Sequence, residues 1–434
     1  MGTRGKNKVI RLLFDEWKPR YPIPNAGFSA GNAEFNYPQG LINFYERFYH
    51  EQLGFQLKSL PCKSFRLSEI ESDKEYYYVI KTVLGFSELV PNYDFKLSQE
   101  VIDVLINKPN VYFLFVREHE SETKEDFDYL VDYFQSKFIP LDKIILLSNN
   151  TLLEDKCKSL NIRFHKLNLL SLTSSSVFTA LGSTFIEDKT GKFFISYNKT
   201  PKLHRYGLLI WLHYYNLLND IDWSLIGKSN IDNGMLSNIF FDEDLKNLQP
   251  SIEFFNQLET KYSIAEENTN WINPKTLEIS QSVRKPLDGS AGASGGLMLP
   301  EPVDSYLQSY LNLVTESFFE DDLESIHVTE KSFRPFFFYQ IPLILGSQHH
   351  IKYMKEEYGF DFYDDIIDHS YDNEPNQTKR LKMFSEEVFR LSNQKNEIKL
   401  FYKENKNRFE KNKQIVVNLP NDTKDFYFFK SLIS

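Results

Sequence analysis

Cysteine is scarce in this chain, and several motifs that mark common enzyme classes are missing. Two cysteines, Cys62 and Cys157, in 434 residues cannot form a disulfide framework, and no CxxC pair indicates structural zinc. The sequence also lacks a GxGxxG fingerprint, a Walker loop and an HExxH helix. These absences argue against a disulfide-stabilised secreted scaffold, a dehydrogenase, a P-loop NTPase and a zinc protease.

Long apolar runs and an excess of positive charge are missing as well. No stretch reaches the length of a membrane span, and the basic segment at residues 1–14 has no signal-peptide core. The net charge of −10 disfavours a general nucleic-acid binder, because such binding depends on neutralising phosphates. We therefore expect a cytoplasmic protein in a reducing compartment, without a membrane span.

Aromatic residues are abundant, and the apolar pattern is that of an α/β protein. The 38 Phe and 25 Tyr argue against disorder, and 434 residues favour two domains. Short apolar runs alternate with helical spacing, as in βαβ units with parallel sheets. Strands are predicted at 9–15, 76–85, 111–116, 143–148, 191–198 and 341–346, and helices at 37–54, 124–138, 200–218, 347–360 and about 375–410.

A Ser/Thr-rich stretch places the domain boundary near residues 170–190. The expected units are an N-terminal domain at 1–175, a second domain at 185–375, and a helical tail at 376–434 that crosses back to the first domain. The segment from 219 to about 285 has a less regular pattern. The glycine-rich run 288–296 resembles a flexible linker, engineered in place of a native loop or natural to an active site.

Three loops of the second domain are expected at the edge where open parallel sheets bind ligands. Two follow the predicted strands at 191–197 and ending at Val314, and the third precedes the helical or kinked segment 332–340. They carry two cations, Arg205 and Lys331, which suit a pyrophosphate near a helix start. Glu330 suits a ribose or sugar hydroxyl. The full donor-site set is Arg205, Lys331, Glu330, Thr329, Asn198, Lys202 and Glu316.

Plainer structural roles compete with these assignments. Arg205 is also suited to the surface of a helix, and Thr329 with Glu330 also fits a helix N-cap. Pro335 removes an interior hydrogen bond, which favours a regular helix that starts nearer Pro335 than Thr329. Metal binding by Asp220 and Asp222, by Asp242 and Asp244, or by His349 and His350 is a weaker alternative, so we expect no metal.

The segments "FISYNKTPKLHRYGLLIWL" and "SYLNLVTESFFE…IHVTEKSFRPFFFYQIPLILGS" resemble the C-terminal half of inverting GT-B glycosyltransferases of the fucosyltransferase-like type. Similar sequences occur in phages and large DNA viruses, so a viral chain would work in the host cytoplasm. The resemblance covers about 190–375. It implies a GT-B fold with two Rossmann-like domains facing each other across a cleft. The family often carries Tyr where this chain has His327, which leaves the donor sugar open.

The resemblance also implies roles for individual residues. Arg205 and Lys331 would contact the pyrophosphate, Glu330 the ribose or the transferred sugar, and Thr329 a phosphate or the local turn. A general base for the acceptor hydroxyl would come from loops of the first domain. Its candidates, in order, are Glu118, Glu16 and Glu34. Trp17 and Tyr37 would form an acceptor platform.

These expectations define a metal-independent inverting glycosyltransferase, with a nucleotide-diphosphate sugar as donor and a glycan or similar hydroxyl as acceptor. One alternative is a phage DNA glycosyltransferase that modifies hydroxymethylated pyrimidines, favoured by the basic residues beside Trp17 and disfavoured by the acidic balance. A second is a non-catalytic module that binds nucleotide sugars or glycans. An epimerase or hydrolase of similar shape is a third.

Overall fold

The computed structural model describes residues 10–14, 62–82, 96–117, 123–166, 183–198, 202–225, 233–262, 303–319, 326–419 and 431. Within these ranges the chain is an α/β protein with two parallel sheets. It divides into two compact units. The first comprises Met1–Ser176, Leu323–His327 and Leu419–Ser434, and the second comprises Val177–Asp322 and Val328–Asn418. None of the helices in the described ranges is long and apolar enough to cross a membrane.

The first unit contains a six-stranded sheet in the order β2-β1-β3-β4-β5-β6. Its strands are β1 Ile10–Phe14, β2 Cys62–Arg66, β3 Tyr76–Thr82, β4 Val111–Arg117, β5 Ile144–Ser148 and β6 Arg163–Lys166. Its helices are α1 Gln99–Asn107, α2 Lys124–Ser136 and α3 Glu154–Ser159. All five strand pairs are parallel, and β5 is buried along its whole length, as continuous apolar runs predict.

The second unit contains a four-stranded parallel sheet in the order β10-β9-β7-β8. Its strands are β7 Phe194–Asn198, β8 Ile221–Leu225, β9 Leu311–Thr315 and β10 Ile341–Leu345. Its helices are α4 Leu203–Tyr214, α5 Asn233–Leu236, α6 Asp242–Tyr262, α7 Val303–Gln308, α8 Glu330–Phe337, α9 His350–Tyr358, α10 Gln377–Ser392, α11 Lys395–Glu404 and α12 Lys406–Asn418. Strands β9 and β10 are buried at every position.

Three features of the second unit differ from the sequence-based expectations. The stretch after residue 218 is regular where the structure describes it, because it forms β8, α5 and α6. The predicted terminal helix is divided into three helices. Of these, α10 packs against α4 and α12 packs against α8, both in the second unit. Helix α8 begins at Glu330 and tolerates Pro335 in its interior, so the expected start nearer Pro335 was wrong. The predicted helix at 37–54 and the run 288–296 lie outside the described residues.

The order of the second sheet creates a topological switch point between β7 and β9. The chain passes from β7 outward to β8 and then returns to the other side of β7 to form β9 and β10. Strands β7 and β9 are paired only at Phe194–Leu311 and Ile195–Asn312, whereas β9 and β10 pair over five positions. Ligands of open parallel sheets bind at such a point, beyond the carboxyl ends of the strands.

Candidate functional site

The switch point is bridged by side chains where the backbone ladder between β7 and β9 ends. Asn198 closes β7 and Thr315 closes β9, and the Thr315 hydroxyl donates a short hydrogen bond to the Asn198 side-chain carbonyl. Both side chains are almost fully buried. Two residues more than a hundred positions apart in the sequence are therefore in contact at the carboxyl edge of the sheet.

Helix α4 is attached to the end of β9 by three basic or imidazole side chains near its start. Lys202 Nζ donates to the Ser317 carbonyl oxygen at 2.7 Å, and Arg205 Nη2 donates to the carbonyls of Thr315 and Glu316 at 3.2 and 3.4 Å. His204 Nε2 lies 2.9 Å from the same Glu316 carbonyl oxygen. Arg205 is only 3% exposed, so it is a buried structural cation rather than a surface residue.

Glu316 is a fully buried carboxylate that accepts hydrogen bonds from several directions. Thr329 donates to it through its hydroxyl at 2.7 Å and its backbone N–H at 3.2 Å. The Ser332 hydroxyl donates a short hydrogen bond to Oε1. Burial raises the pKa of Glu316, but Lys331, His350 and these hydrogen bonds outweigh it and lower that pKa to about 2. Glu316 is therefore ionised at neutral pH.

Helix α8 starts directly beside this carboxylate. Thr329 is its N-cap and accepts a hydrogen bond from the Lys331 backbone N–H, as the capping interpretation predicts. The Thr329 hydroxyl also accepts from Lys331 Nζ at 3.2 Å. The start of the helix is thus tied to Glu316 through Thr329.

Glu330 and Lys331, adjacent in sequence, form an ion pair that extends to the next turn. Lys331 Nζ lies 3.3 Å from Glu330 Oε1, and Arg334 Nη2 lies 3.0 Å from the same oxygen. Burial raises the pKa of Glu330, but Lys331 and Arg334 outweigh it and lower the pKa. The Lys331 side chain keeps 24% of its surface exposed, compared with 12% for Glu330 and Arg334.

Two residues at this site, Ser332 and His350, were not in the predicted donor-site set, and His350 had been considered only as a weak metal ligand. His350, the first residue of α9, is completely buried, and its Nε2 lies 3.0 Å from the Ser332 hydroxyl. Ser332 connects that imidazole to Glu316. The loop after β10, "LGSQHH", lies at the same edge as the three loops that were considered. Ligands of open parallel sheets bind beyond the carboxyl ends of the strands, so His350 could have been identified by applying this rule to β10.

The weaker metal candidates do not form a ligand cluster within the described ranges. Asp222 accepts hydrogen bonds from Tyr197 and Ser305, and Asp220 pairs with Lys395. Asp244 pairs with Lys382. These carboxylates therefore already have protein partners.

All seven predicted donor-site residues lie at this one edge, whereas the predicted base and acceptor residues cannot be placed. Glu118, Glu16, Glu34, Trp17 and Tyr37 fall outside the described residues. No protein-family model, curated protein or solved structure matches the chain. The chemistry of the site therefore has to be argued from its own geometry.

Proposed function

We propose that this chain is a metal-independent inverting glycosyltransferase of the GT-B type, which transfers a sugar from a nucleotide-diphosphate donor to a hydroxyl acceptor. The observation that carries the proposal is a positively charged cluster at the switch point of the second sheet. Four cations, Lys202, Arg205, Lys331 and Arg334, lie at this edge together with two carboxylates, Glu316 and Glu330. Four positive charges less two negative ones leave a net charge of +2.

The histidines of the cluster do not change this balance at neutral pH. Burial lowers the pKa of His204, and Arg205 beside it lowers the pKa further. Burial also lowers the pKa of His350 despite the nearby carboxylates. A net charge of +2 complements a pyrophosphate, and fixed cations stabilise the charge that develops on a departing diphosphate. Paired cations supply this stabilisation without a metal ion.

The cations of the cluster divide into structural and ligand-binding groups. Arg205 and Lys202 donate to backbone carbonyls of residues 315–317 and so shape the edge. Lys331 is the more exposed member of the ion-paired trio and stands at the start of α8, where backbone N–H groups favour anions. In this proposal Lys331 contacts the pyrophosphate, and Glu330 contacts the ribose or the transferred sugar.

The acceptor half of the reaction is assigned to the first unit. Glu118, Glu16 and Glu34, in that order, are the proposed general bases, and Trp17 and Tyr37 the proposed acceptor platform. A carboxylate base takes the proton of the attacking hydroxyl as the bond to the sugar forms and the nucleoside diphosphate leaves. Glu118→Gln keeps the shape of the leading candidate but removes its basicity, so transfer should fall while donor binding remains.

A thermal-shift panel of nucleotide sugars tests the donor assignment, because a ligand that binds only the folded chain raises Tm by mass action. The stabilising donor is then assayed for sugar transfer with excess EDTA present. We expect Lys331→Met to reduce the shift and to abolish the transfer. The matched control, Lys379→Met on α10, removes a lysine that is 58% exposed and should leave both unchanged. Stabilisation by none of the donors, or full activity of Lys331→Met, would refute the proposal.

A further inference from the structure

Hydrogen bonds at the switch point run in one direction, towards Glu316. Thr329 accepts from the Lys331 backbone N–H and Nζ, so its own hydroxyl hydrogen points to Glu316. An ionised carboxylate only accepts, so the Ser332 hydroxyl also donates to Glu316. Ser332 must then accept from His350, whose Nε2 lies 3.0 Å away. On one side His350 donates to Ser332, which donates to Glu316. On the other side Lys331 donates to Thr329, which donates to Glu316.

This order fixes the tautomer of His350. The proton is on Nε2, because that nitrogen is the donor to Ser332. Nδ1 then carries a lone pair, and among the described residues it has no hydrogen-bond partner although the side chain is completely buried. It faces Gly346, where an added Cβ would come within 3.0 Å of the ring. The absence of a side chain at Gly346 lets the imidazole fit against the end of β10.

The Lys331 ammonium contacts protein groups at the start of α8 and is also exposed enough to bind an anion there. It is close enough to Glu316 to lower the pKa of that carboxyl, yet its direct contacts are Thr329 and Glu330. A buried carboxylate that loses hydrogen-bond donors attracts the nearest cation more strongly. The hydroxyl of Ser332 therefore keeps Glu316 satisfied without a direct bond from Lys331.

We propose that Ser332 and His350 are positioning residues, which supply the hydrogen bonds that keep Lys331 available to a diphosphate instead of pairing directly with Glu316. This inference rests on the proposed function and deepens it. His350 contacts no ligand in this scheme and acts through Ser332 and Glu316. The ligand class is a nucleoside diphosphate, whose two phosphates match the cationic start of α8.

A double-mutant cycle separates positioning from a merely structural role. Binding of GDP and UDP is measured by calorimetry for the full chain and its variants. We expect Ser332→Ala and His350→Met each to weaken binding about tenfold. In a Lys331→Met background the same changes should have almost no further effect, because their action passes through Lys331. Equal losses in both backgrounds would show a structural role and overturn the proposal.

Two further measurements guard against variants that fail to fold. His350→Gln keeps an amide N–H near the Nε2 position, so it should restore most of the affinity that His350→Met loses. The ¹⁵N chemical shifts of His350 report its tautomer without any ligand, and an Nδ1–H tautomer would refute the hydrogen-bond order.

The outcomes also distinguish this inference from the proposed function. Diphosphate binding that depends on Lys331 but not on Ser332 or His350 refutes the positioning role alone. Lys331-dependent coupling without sugar transfer refutes the transferase and supports the positioning role. Failure of both nucleotides to bind overturns both.

Discussion

The Arg205 guanidinium donates to the backbone carbonyl of Thr315 at 3.2 Å, across the switch point of the second sheet. The helix that follows β7 is thereby tied to the end of β9, where the backbone ladder between these strands has already ended. The same guanidinium reaches the Glu316 carbonyl at 3.4 Å. Arg205 thus fixes the position of α4 relative to the end of β9, at the edge of the sheet that carries the candidate donor site.

Arg205→Ala should lower the stability of the chain strongly. The substitution removes a buried cation and leaves backbone carbonyls without these donors, and each unsatisfied buried group costs about 1–3 kcal/mol. We expect a loss of about 2–4 kcal/mol in the free energy of unfolding, measured by urea denaturation. Lys379→Ala, at an exposed position, should change it by less than about 0.5 kcal/mol. An Arg205→Ala chain as stable as that control would contradict the structural assignment of Arg205.

Glu316 should make the protein sensitive to acid in a definite window. Its pKa falls from 4.5 to about 2 on folding, so its stabilising contribution is complete above pH 4.5 and is lost as the pH falls towards 2. The shift corresponds to about 3 kcal/mol at this fully buried group. The stability advantage of the wild type over Glu316→Gln should therefore shrink by that amount between pH 4.5 and pH 2, as measured by chemical denaturation.

Glu404→Gln, on the exposed face of α11, is the matched control, and its stability relative to the wild type should stay nearly constant over the same window. A constant difference for Glu316→Gln as well would show that folding does not lower the pKa of Glu316.

The sequence predicted the strands better than the helices that connect them. The predicted strands "VYFLFV" and "IPLILG" match β4 and β10 to within one residue. Strands of a parallel sheet are buried on both faces, so a short continuous apolar run is typical of them. The long helix α6 was not predicted. It contains Pro250 in its interior, where proline usually ends or kinks a helix, so its sequence departs from the regular pattern that marks a helix.

Four of the seven candidate donor-site residues, Asn198, Lys202, Arg205 and Glu316, were selected because they follow predicted strands, and strand ends are visible in a sequence. The other three were selected because they precede a predicted helix. Their individual tasks were not visible. Arg205 donates to the Thr315 carbonyl, a contact that depends on how two distant segments come together in space. The pair of Glu330 and Arg334 is an i,i+4 contact, but it could be recognised only once the helix was known to start at Glu330. The link from Ser332 to His350 spans 18 positions and two elements, so no local pattern could indicate it.

His204 should contribute a second pH dependence, at higher pH than Glu316. Burial lowers its pKa well below 6.5, so His204 becomes protonated near pH 6.5 in the unfolded chain but stays neutral there in the folded chain. Stability therefore falls as the pH drops through 6.5, by up to about 1.4 kcal/mol per pH unit for one proton. His204→Gln, which keeps a donor for the Glu316 carbonyl, should remove this part of the slope between pH 6.5 and 5 in denaturation curves. An unchanged slope would mean that folding does not lower the pKa of His204.

Gly346→Ala should disturb the candidate donor site through His350. A Cβ at this position would lie 3.0 Å from Cγ and Nδ1 of the His350 ring, which is tighter than ordinary contact. The imidazole is fully buried and cannot move outward, so its hydrogen bond to Ser332 should lengthen or break. We expect a lower Tm and a weaker affinity for GDP and UDP, in the same direction as His350→Met.

Gly359→Ala provides the comparison for that variant. Gly359 ends α9 with φ at +76° and open space around its Cα, so alanine there adds backbone strain of about 1–2 kcal/mol without reaching His350. It should lower Tm but leave nucleotide affinity unchanged. Because both glycines flank the same helix, a parallel loss of affinity in both variants would show that binding follows the stability of α9, and that the contact between Gly346 and His350 has no separate role.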